Sequence, residues 1–185
     1  GLWCDTNEQT RAWTGDVRAA LFMLDARAFA KAFVRQSSEY YFGNRDDADS
    51  VLGQVFGDVV TDGELPPEVA ATPIALFYER ERLLLDFIRG ADIAHRLERT
   101  IESFGRQSDV LGEPQFAKFV ELLGPLCVWT GRRDLLTRLL AFRGVSKSAD
   151  LRLLLHGFDA IFDRDWPLAE RVLAMLAEPP YYGRD

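Results

Sequence analysis

The stretch LCVWTGRRDLLTRLL, residues 126–140, carries the features that decide the fold. Its apolar residues recur at three- and four-residue spacing on both sides of the triplet Trp129-Thr130-Gly131, which predicts two helices. Gly131 suits the left-handed turn that ends a helix, and Asp134 suits the next helix start, where a carboxylate accepts free N–H groups. We expect Trp129 to close the end of the resulting hairpin.

Parts of this stretch recur elsewhere in the chain. The triplet occurs earlier as Trp13-Thr14-Gly15 and is followed by Asp16, and DIAHRL (residues 92–97) resembles DLLTRL (residues 134–139). A shift of 33 residues matches Gly124 with Gly157, Leu135 with Leu168, Arg138 with Arg171, Leu139 with Val172 and Leu140 with Leu173. Such self-similarity favours an array of helical hairpins over an unrelated bundle.

Helical spacing of apolar residues continues through most of the sequence, and strict alternation is rare. We therefore predict an all-α fold of stacked antiparallel helical hairpins, either α-solenoid-like or a compact multi-helix bundle, with about eight to nine helices. An opening helix should follow Asp5 or Thr6 and end at Gly15. Asp16 should then cap one long helix, whose buried face includes Val17, Leu21, Leu24, Phe29 and Phe33.

The remaining helices follow from the same spacing. VLGQVFGDVV (residues 51–60) is predicted to be helical, with Gly53 and Gly57 on a face that admits a neighbouring helix. The next helix should run from Pro66 or Pro67 to Arg89, and Pro73 either belongs to the first turn of a helix that starts later or introduces a kink. Further helices are expected at 91–104, 114–129, 132–142, 148–163 and 166–177, with loops at GRQSDVLGEP and RGVSKSAD.

Residues 115–180 resemble tetratricopeptide-like helical repeats. Gly157, Ala169 and Leu173 have the spacing of that family's glycine, alanine and aromatic positions, and Pro179-Pro180 ends the unit as in the family. His156 and Ala160 depart from the pattern, which has bulky residues there. The resemblance implies a helical scaffold for protein recognition, and it implies neither a particular ligand nor a catalytic residue.

Length and composition bound the organisation of the chain. With 185 residues, 48% of them apolar, we expect a single all-α domain over residues 1–185, which could subdivide into acidic N-terminal helices (1–64) and helical hairpins (65–185). Two cysteines are too few for a disulfide framework, which favours a reducing compartment. No signal peptide and no membrane-spanning apolar run is found, so we expect a cytoplasmic location without membrane association.

The net charge of −7 is concentrated in one segment. Residues 39–68, called the acidic segment below, hold eight acidic residues and one basic residue, whereas the rest of the chain has 21 of each. Because phosphate binding needs a concentrated basic surface, nucleic acid is excluded as the expected partner. The charge distribution instead predicts a basic protein partner.

Aromatic residues beside the acidic charges are the expected contact residues. Aromatic anchors flanked by charges of one sign suit a protein interface, although the same rings could pack the end of a long helix. The predicted partner-binding residues are Tyr40, Tyr41, Phe42, Asp46, Asp47, Asp49, Asp62 and Glu64.

Two histidines with acidic neighbours could hold a metal ion. His95 shares a helical face with Asp92, Glu98 and Glu102, and His156 shares one with Asp159 and Asp163. A solvated stripe with Arg96 and Arg99 as ion-pair neighbours explains the first group without a metal ion. A turn position like that of Thr130 explains Asp163, and packing against a neighbouring helix explains His156. We therefore expect no metal and no cofactor, and keep His95, His156, Asp159 and Asp163 as fallback metal candidates.

These observations predict a non-enzymatic protein-protein interaction module that binds a basic partner. An adaptor, a chaperone-like protein and an immunity protein that neutralises a toxin all fit. The alternative is an all-α small-ligand-binding domain or a small metal-dependent helical enzyme. A third possibility is that the chain is part of a longer helical scaffold.

Overall fold

The structure, a computed structural model, describes residues 15–40 and 52–177. Helix α1 covers residues 15–22. The other α-helices are α2 Ala26–Tyr40, α3 Pro67–Ala70, α4 Ile74–Ile88, α5 Ala94–Gln107, α6 Glu113–Trp129, α7 Arg133–Leu140, α8 Arg143–Lys147, α9 Ala149–Phe162 and α10 Trp166–Ala177. A π-helical turn covers Leu52–Phe56 and a 3₁₀ turn covers Ser108–Val110. Within the described ranges, no strand occurs and eight helices have seven or more residues, which confirms the all-α prediction.

Four helices end in the same way, although their sequences differ at the turn. Leu24, Gly90, Gly131 and Arg164 each have a positive φ, between 53° and 72°. In each turn, the N–H of the following residue donates to a carbonyl five residues back, as from Arg132 to Cys127 and from Asp165 to Ala160, both at 2.9 Å. This Schellman-type hydrogen bonding satisfies helix-end carbonyls and reverses the chain.

The Trp-Thr-Gly triplet predicted only one of these turns. Gly131 adopts the left-handed conformation as expected, with φ +70°. Gly15 lies inside α1 and has no positive φ, so the first copy does not form the predicted turn there. The N-cap residue of α7 is Arg132 and not Asp134, but Asp134 lies in the first turn, where hydrogen bonds from the Arg132 side chain and from backbone N–H groups lower its pKa. Trp129 lies at the end of the hairpin as the last residue of α6, and it is 74% exposed and thus outside the core.

The long helix expected after Asp16 is two helices. The chain turns at Met23 and Leu24, and one carboxylate oxygen of Asp25 accepts the N–H groups of Arg27 at 3.1 Å and Ala28 at 3.0 Å. Asp25 thus caps α2, and these hydrogen bonds offset the energetic cost of the left-handed conformation at Leu24. Leu24 is exposed, contrary to prediction, whereas the other four predicted core residues, Val17, Leu21, Phe29 and Phe33, are buried. The opening helix lies outside the described residues.

The middle of the chain also departs from one continuous helix. Pro73 is the N-cap residue of α4, which confirms that a helix starts there, and the Thr72 hydroxyl accepts the N–H of Ile74 at 3.3 Å. The predicted helix at 51–60 is reduced to the π-helical turn. Gly53 and Gly57 are exposed, and beyond its own turn no described residue has an atom within 4 Å of a Cβ built on Gly53, so the predicted helix contact at these glycines is wrong.

The later helices lie within a few residues of their predicted bounds. One helix was missed: α8 occupies part of the predicted loop RGVSKSAD. Its Val145 is fully buried, so a single apolar side chain anchors this short segment. Of the described residues, none belongs to a helix long and apolar enough to cross a membrane.

The chain divides into two compact units. Unit 1 comprises residues 1–93 with 106–111, and unit 2 comprises 94–105 with 112–185. The prediction of a single domain over residues 1–185 stays a prediction.

The described core of unit 1 is an aromatic cluster. The Phe29 ring centroid lies 5.4 Å from those of Phe33 and Phe77 and 5.8 Å from that of Phe56. Phe56 contacts Tyr78 edge to face at 5.3 Å. All five residues are buried, and aromatic pairs at these distances stabilise a core beyond the area that they bury. The cluster joins α2, the π-helical turn and α4.

Unit 2 has its own aromatic centre and a close contact between its last helices. The Phe104 ring centroid on α5 lies 4.9 Å from that of Phe116 and 5.3 Å from that of Phe119. On α9, a Cβ added to Gly157 would lie 2.6 Å from a methyl of Val172 on α10. Glycine is therefore what allows α9 and α10 to approach so closely.

Candidate functional site

The described part of the acidic segment forms an exposed turn in unit 1. Thr61 and Glu64 exchange two backbone hydrogen bonds of 3.1 and 3.0 Å, and Asp62 between them has φ +53°. The Tyr78 hydroxyl on α4 donates to the Gly63 carbonyl at 2.7 Å. Because Tyr78 is buried in the aromatic core, this bond ties the turn to a rigid part of the unit.

The acidic side chains of this part face solvent. Asp58, Asp62, Glu64 and Glu68 are all exposed, and residues 52–68 contain no lysine or arginine. Asp58 forms an ion pair with Arg18 of α1. Asp62 and Glu64, two of the predicted partner-binding residues, thus lie on one fixed and exposed turn. Such charges act on approaching molecules before contact, over about 8–10 Å at ordinary ionic strength.

The other predicted partner-binding residues remain predictions. Tyr40 is the last residue of α2, and its side chain is outside the described set. The remaining five, Tyr41, Phe42, Asp46, Asp47 and Asp49, lie outside the described residues altogether.

Two acidic neighbours of His95, Glu98 and Glu102, serve as ion-pair partners of arginines at the start of α7 and within it. Arg138 donates to Glu102 at 3.1 Å, and Arg132 donates to Glu98 at 3.4 Å. An ion-pair explanation therefore fits Glu98 and Glu102, with Arg132 and Arg138 as partners in addition to the arginines that were predicted. His95 itself is exposed.

A single guanidinium binds both carboxylates near His156. Arg133 of α7 donates to the two oxygens of Asp159 at 2.8 and 3.1 Å and to those of Asp163 at 2.6 and 2.8 Å. Arg133 also lies over the Phe162 ring, 5.9 Å from its centroid. His156 is exposed, so the expected packing against a neighbouring helix is wrong.

Asp163 has the predicted turn position. It is the C-cap residue of α9 with φ −82° and ψ −1°, and Thr130 has the same place after α6 with φ −86° and ψ −1°. The two carboxylates near His156 are thus explained by the turn and by Arg133. Among the described residues, no group of three or more His, Cys, Asp or Glu could hold a metal ion.

The ion pairs shift the pKa values of their members. Hydrogen bonds from Arg133 hold the pKa of Asp163 below its ordinary value, and those from Arg132 do the same for Asp134. The guanidinium pKa values rise in turn. Burial, by contrast, raises the pKa of Cys127 to about 12, so its thiol stays protonated and is a poor nucleophile or metal ligand.

Carboxylates outnumber guanidiniums in this network on unit 2. Arg132, Arg133 and Arg138 contact five carboxylates, those of Glu98, Glu102, Asp134, Asp159 and Asp163. Arg132 and Arg133 each bind two of them, so each local cluster has one uncompensated negative charge. The network itself thus has two more carboxylates than guanidiniums, although α5 and α9 carry four further arginines, Arg96, Arg99, Arg106 and Arg152.

Sequence reasoning missed two exposed tryptophans in unit 2. Trp129 is 74% exposed and Trp166 is 59% exposed, whereas most large apolar side chains of the described residues are buried. The aromatic contact residues that we expected were Tyr40, Tyr41 and Phe42. In unit 1, Phe22 and Met23 are exposed at the turn between α1 and α2.

Comparisons of the chain with protein-family models, with curated proteins and with solved structures found no match.

Proposed function

We propose that the chain is a non-enzymatic protein-binding module whose acidic segment receives a basic surface of a partner protein. The observation that carries the proposal is the exposed acidic turn with Asp62 and Glu64, which Tyr78 ties to the core of unit 1. A turn held in one conformation loses little conformational entropy on binding. Its charges would raise the association rate with a basic partner and exclude acidic competitors.

The proposed scaffold is a tetratricopeptide-like hairpin array in unit 2. The close contact of Gly157 with Val172 and the buried Ala169 support this part of the proposal, because small residues in the two helices of a hairpin let them approach. An adaptor, a chaperone-like protein and a toxin-neutralising immunity protein in the cytoplasm would each use such a scaffold. The partner's identity would distinguish them.

The metal-enzyme alternative gains no support from the described residues. Arg133 already binds Asp159 and Asp163, and both histidines are exposed. A metal ion at this position would have to displace a guanidinium that makes four hydrogen bonds.

The proposal is tested with charge reversal in the acidic segment. The variant Asp46→Lys, Asp47→Lys, Asp49→Lys should weaken binding of the protein that co-purifies stoichiometrically by about tenfold or more, measured by isothermal titration calorimetry. The matched control is Asp109→Lys, Glu113→Lys, Glu121→Lys, which changes the net charge equally at three exposed sites outside the acidic segment. The control should retain most of the affinity.

Equal affinities of the wild type and the first variant would overturn the proposal. Equal losses in both variants would also contradict it, because they would show a response to net charge and not to the acidic segment. The dissociation constants should be measured at two salt concentrations, since a rim of charged residues predicts weaker binding at high salt.

A further inference from the structure

Two indole side chains are exposed at one edge of unit 2. Trp129 is the last residue of α6 and Trp166 is the first residue of α10. Their exposed fractions of 74% and 59% leave most of each ring in solvent. Leu168, two residues further along α10, is 37% exposed. Large exposed aromatic surface is a common mark of an interaction site.

Arg133 brings the two tryptophan-bearing turns together. It follows Trp129 by four residues, and it binds Asp163, which precedes Trp166 by three. The turn after α6 and the turn after α9 therefore lie at the same edge of the unit. We call Trp129, Trp166 and the Arg132 and Arg133 clusters between them the tryptophan edge.

The charge of the tryptophan edge determines what it attracts. Arg132 faces Glu98 and Asp134, and Arg133 faces Asp159 and Asp163, so each guanidinium meets two carboxylates. The charges of the adjacent Arg164 and Asp165 cancel each other. The edge thus has two largely exposed tryptophans beside an ion-pair network in which carboxylates outnumber guanidiniums.

We infer that the tryptophan edge binds lysine or arginine side chains of a basic polypeptide. An indole is the aromatic group that attracts cations most strongly over its face, and the nearby carboxylates also attract cations. Both contributions select a cation and disfavour an anion. This site lies in unit 2 and uses none of the acidic segment, so it goes beyond the proposed function.

An arginine octapeptide is a suitable probe, and a glutamate octapeptide is its control. The protein is labelled with 5-fluorotryptophan, and the four ¹⁹F resonances are assigned through single Trp→Phe variants. The inference predicts that the resonances of Trp129 and Trp166 shift on addition of the arginine peptide, follow one saturation curve, and stay unchanged with the glutamate peptide. Failure of both resonances to shift with the arginine peptide would overturn the inference.

Affinity measurements provide the second test. The Trp129→Ala, Trp166→Ala variant lacks the two indoles that report binding in the ¹⁹F titration. The dissociation constant is therefore measured from the anisotropy of a labelled arginine peptide. It should rise by about tenfold. The matched control, Phe22→Ala, Met23→Ala, removes two exposed apolar side chains from unit 1 and should leave the constant unchanged. Equal constants in the wild type and the double-tryptophan variant would contradict the inference.

The outcome is distinguishable from a failure of the proposed function. If the arginine peptide binds only the acidic segment, both tryptophan resonances stay in place, and the inference is wrong while the proposed function stands. If reversal of Asp46, Asp47 and Asp49 leaves partner binding intact but the resonances shift, the proposed function is wrong and the inference stands.

Discussion

In unit 2, the hairpin of α6 and α7 resembles the hairpin of α9 and α10 more closely in backbone geometry than in sequence. The turn after α6 places Gly131 at φ +70°, and the turn after α9 places Arg164 at φ +59°, at equivalent positions under the 33-residue shift. Leu139 and Val172 are both buried at matched positions. Leu135 and Leu168 differ, because the first is fully buried and the second is 37% exposed. The comparison shows that equivalent backbone positions can have different neighbours.

The largest expected effect is a loss of stability that should differ between Leu135 and Leu168. Leu135→Ala should lower the free energy of unfolding by about 2–5 kcal/mol, because it leaves a cavity in the core. Leu168→Ala removes a partly solvated side chain and should cost less than about 1 kcal/mol. Urea denaturation followed by circular dichroism measures both, and equal losses would show that the two positions are packed alike.

The matched glycines provide the next test. A Cβ on Gly157 would lie 2.6 Å from Val172, whereas one on Gly124 would lie 3.0 Å from the side-chain ends of Leu155 and Phe158. Gly157→Ala should destabilise by roughly 1 kcal/mol, since overpacking exceeds the gain in helix propensity. Gly124→Ala should change stability by less than about 0.5 kcal/mol, because flexible side-chain ends can move. A stabilised Gly157→Ala protein would show that the close contact of α9 and α10 is absent.

The left-handed turn residues test whether the two turns share one geometry. Gly131→Ala should cost about 1 kcal/mol, because the left-handed conformation disfavours a Cβ. Arg164→Gly should instead stabilise the protein by at most about 1 kcal/mol. The control is Gly15→Ala, at a helical position of the other Trp-Thr-Gly copy, which should cause no loss. Thermal unfolding of the three variants distinguishes these effects, and a destabilised Arg164→Gly protein would contradict a left-handed turn there.

The ion pair between α7 and α9 gives the smallest effect, and it depends on pH. Arg133→Gln should raise the pKa of Asp163 towards its ordinary value, because the hydrogen bonds to the guanidinium lower it. A depressed folded-state pKa stabilises the protein above the ordinary aspartate value, and this stabilisation is lost as the pH falls through the folded pKa. Carboxyl NMR titration measures the shift. An unchanged Asp163 titration curve would show that Arg133 does not bind it, and Arg171→Gln serves as the control.

Much of the helical architecture could be predicted, because it depends on local apolar spacing. The helices from α5 to α7, and α9 and α10, lie near their predicted positions. The break at Leu24 was missed because no glycine or proline marks it, and it depends on hydrogen bonds from the backbone to Asp25. The turn at Arg164 was predicted, because helices were expected at 148–163 and 166–177, although no glycine marks it. Both non-glycine turns are followed by an aspartate that accepts backbone N–H groups, and this pattern could have found the break at Leu24.

The candidate site could be predicted only in part. Charge counting located the exposed turn with Asp62 and Glu64, since an uncompensated run of acids must face solvent. It could not locate the ion-pair network of unit 2, because Glu98 and Asp159 meet Arg132 and Arg133 only after the helices pack. Neither could it find that Trp129 and Trp166 are exposed, as the same residues would suit a core.

The central claim, that this is a protein-binding module for a basic partner, is tested most directly by native mass spectrometry of the protein purified gently from its source extract. Retained protein partners and retained small ligands are reported by the same spectrum. The account predicts a stoichiometric complex with a basic protein. A lone chain that holds a metal ion or a small molecule would contradict it and would favour the alternative of a ligand-binding domain or enzyme.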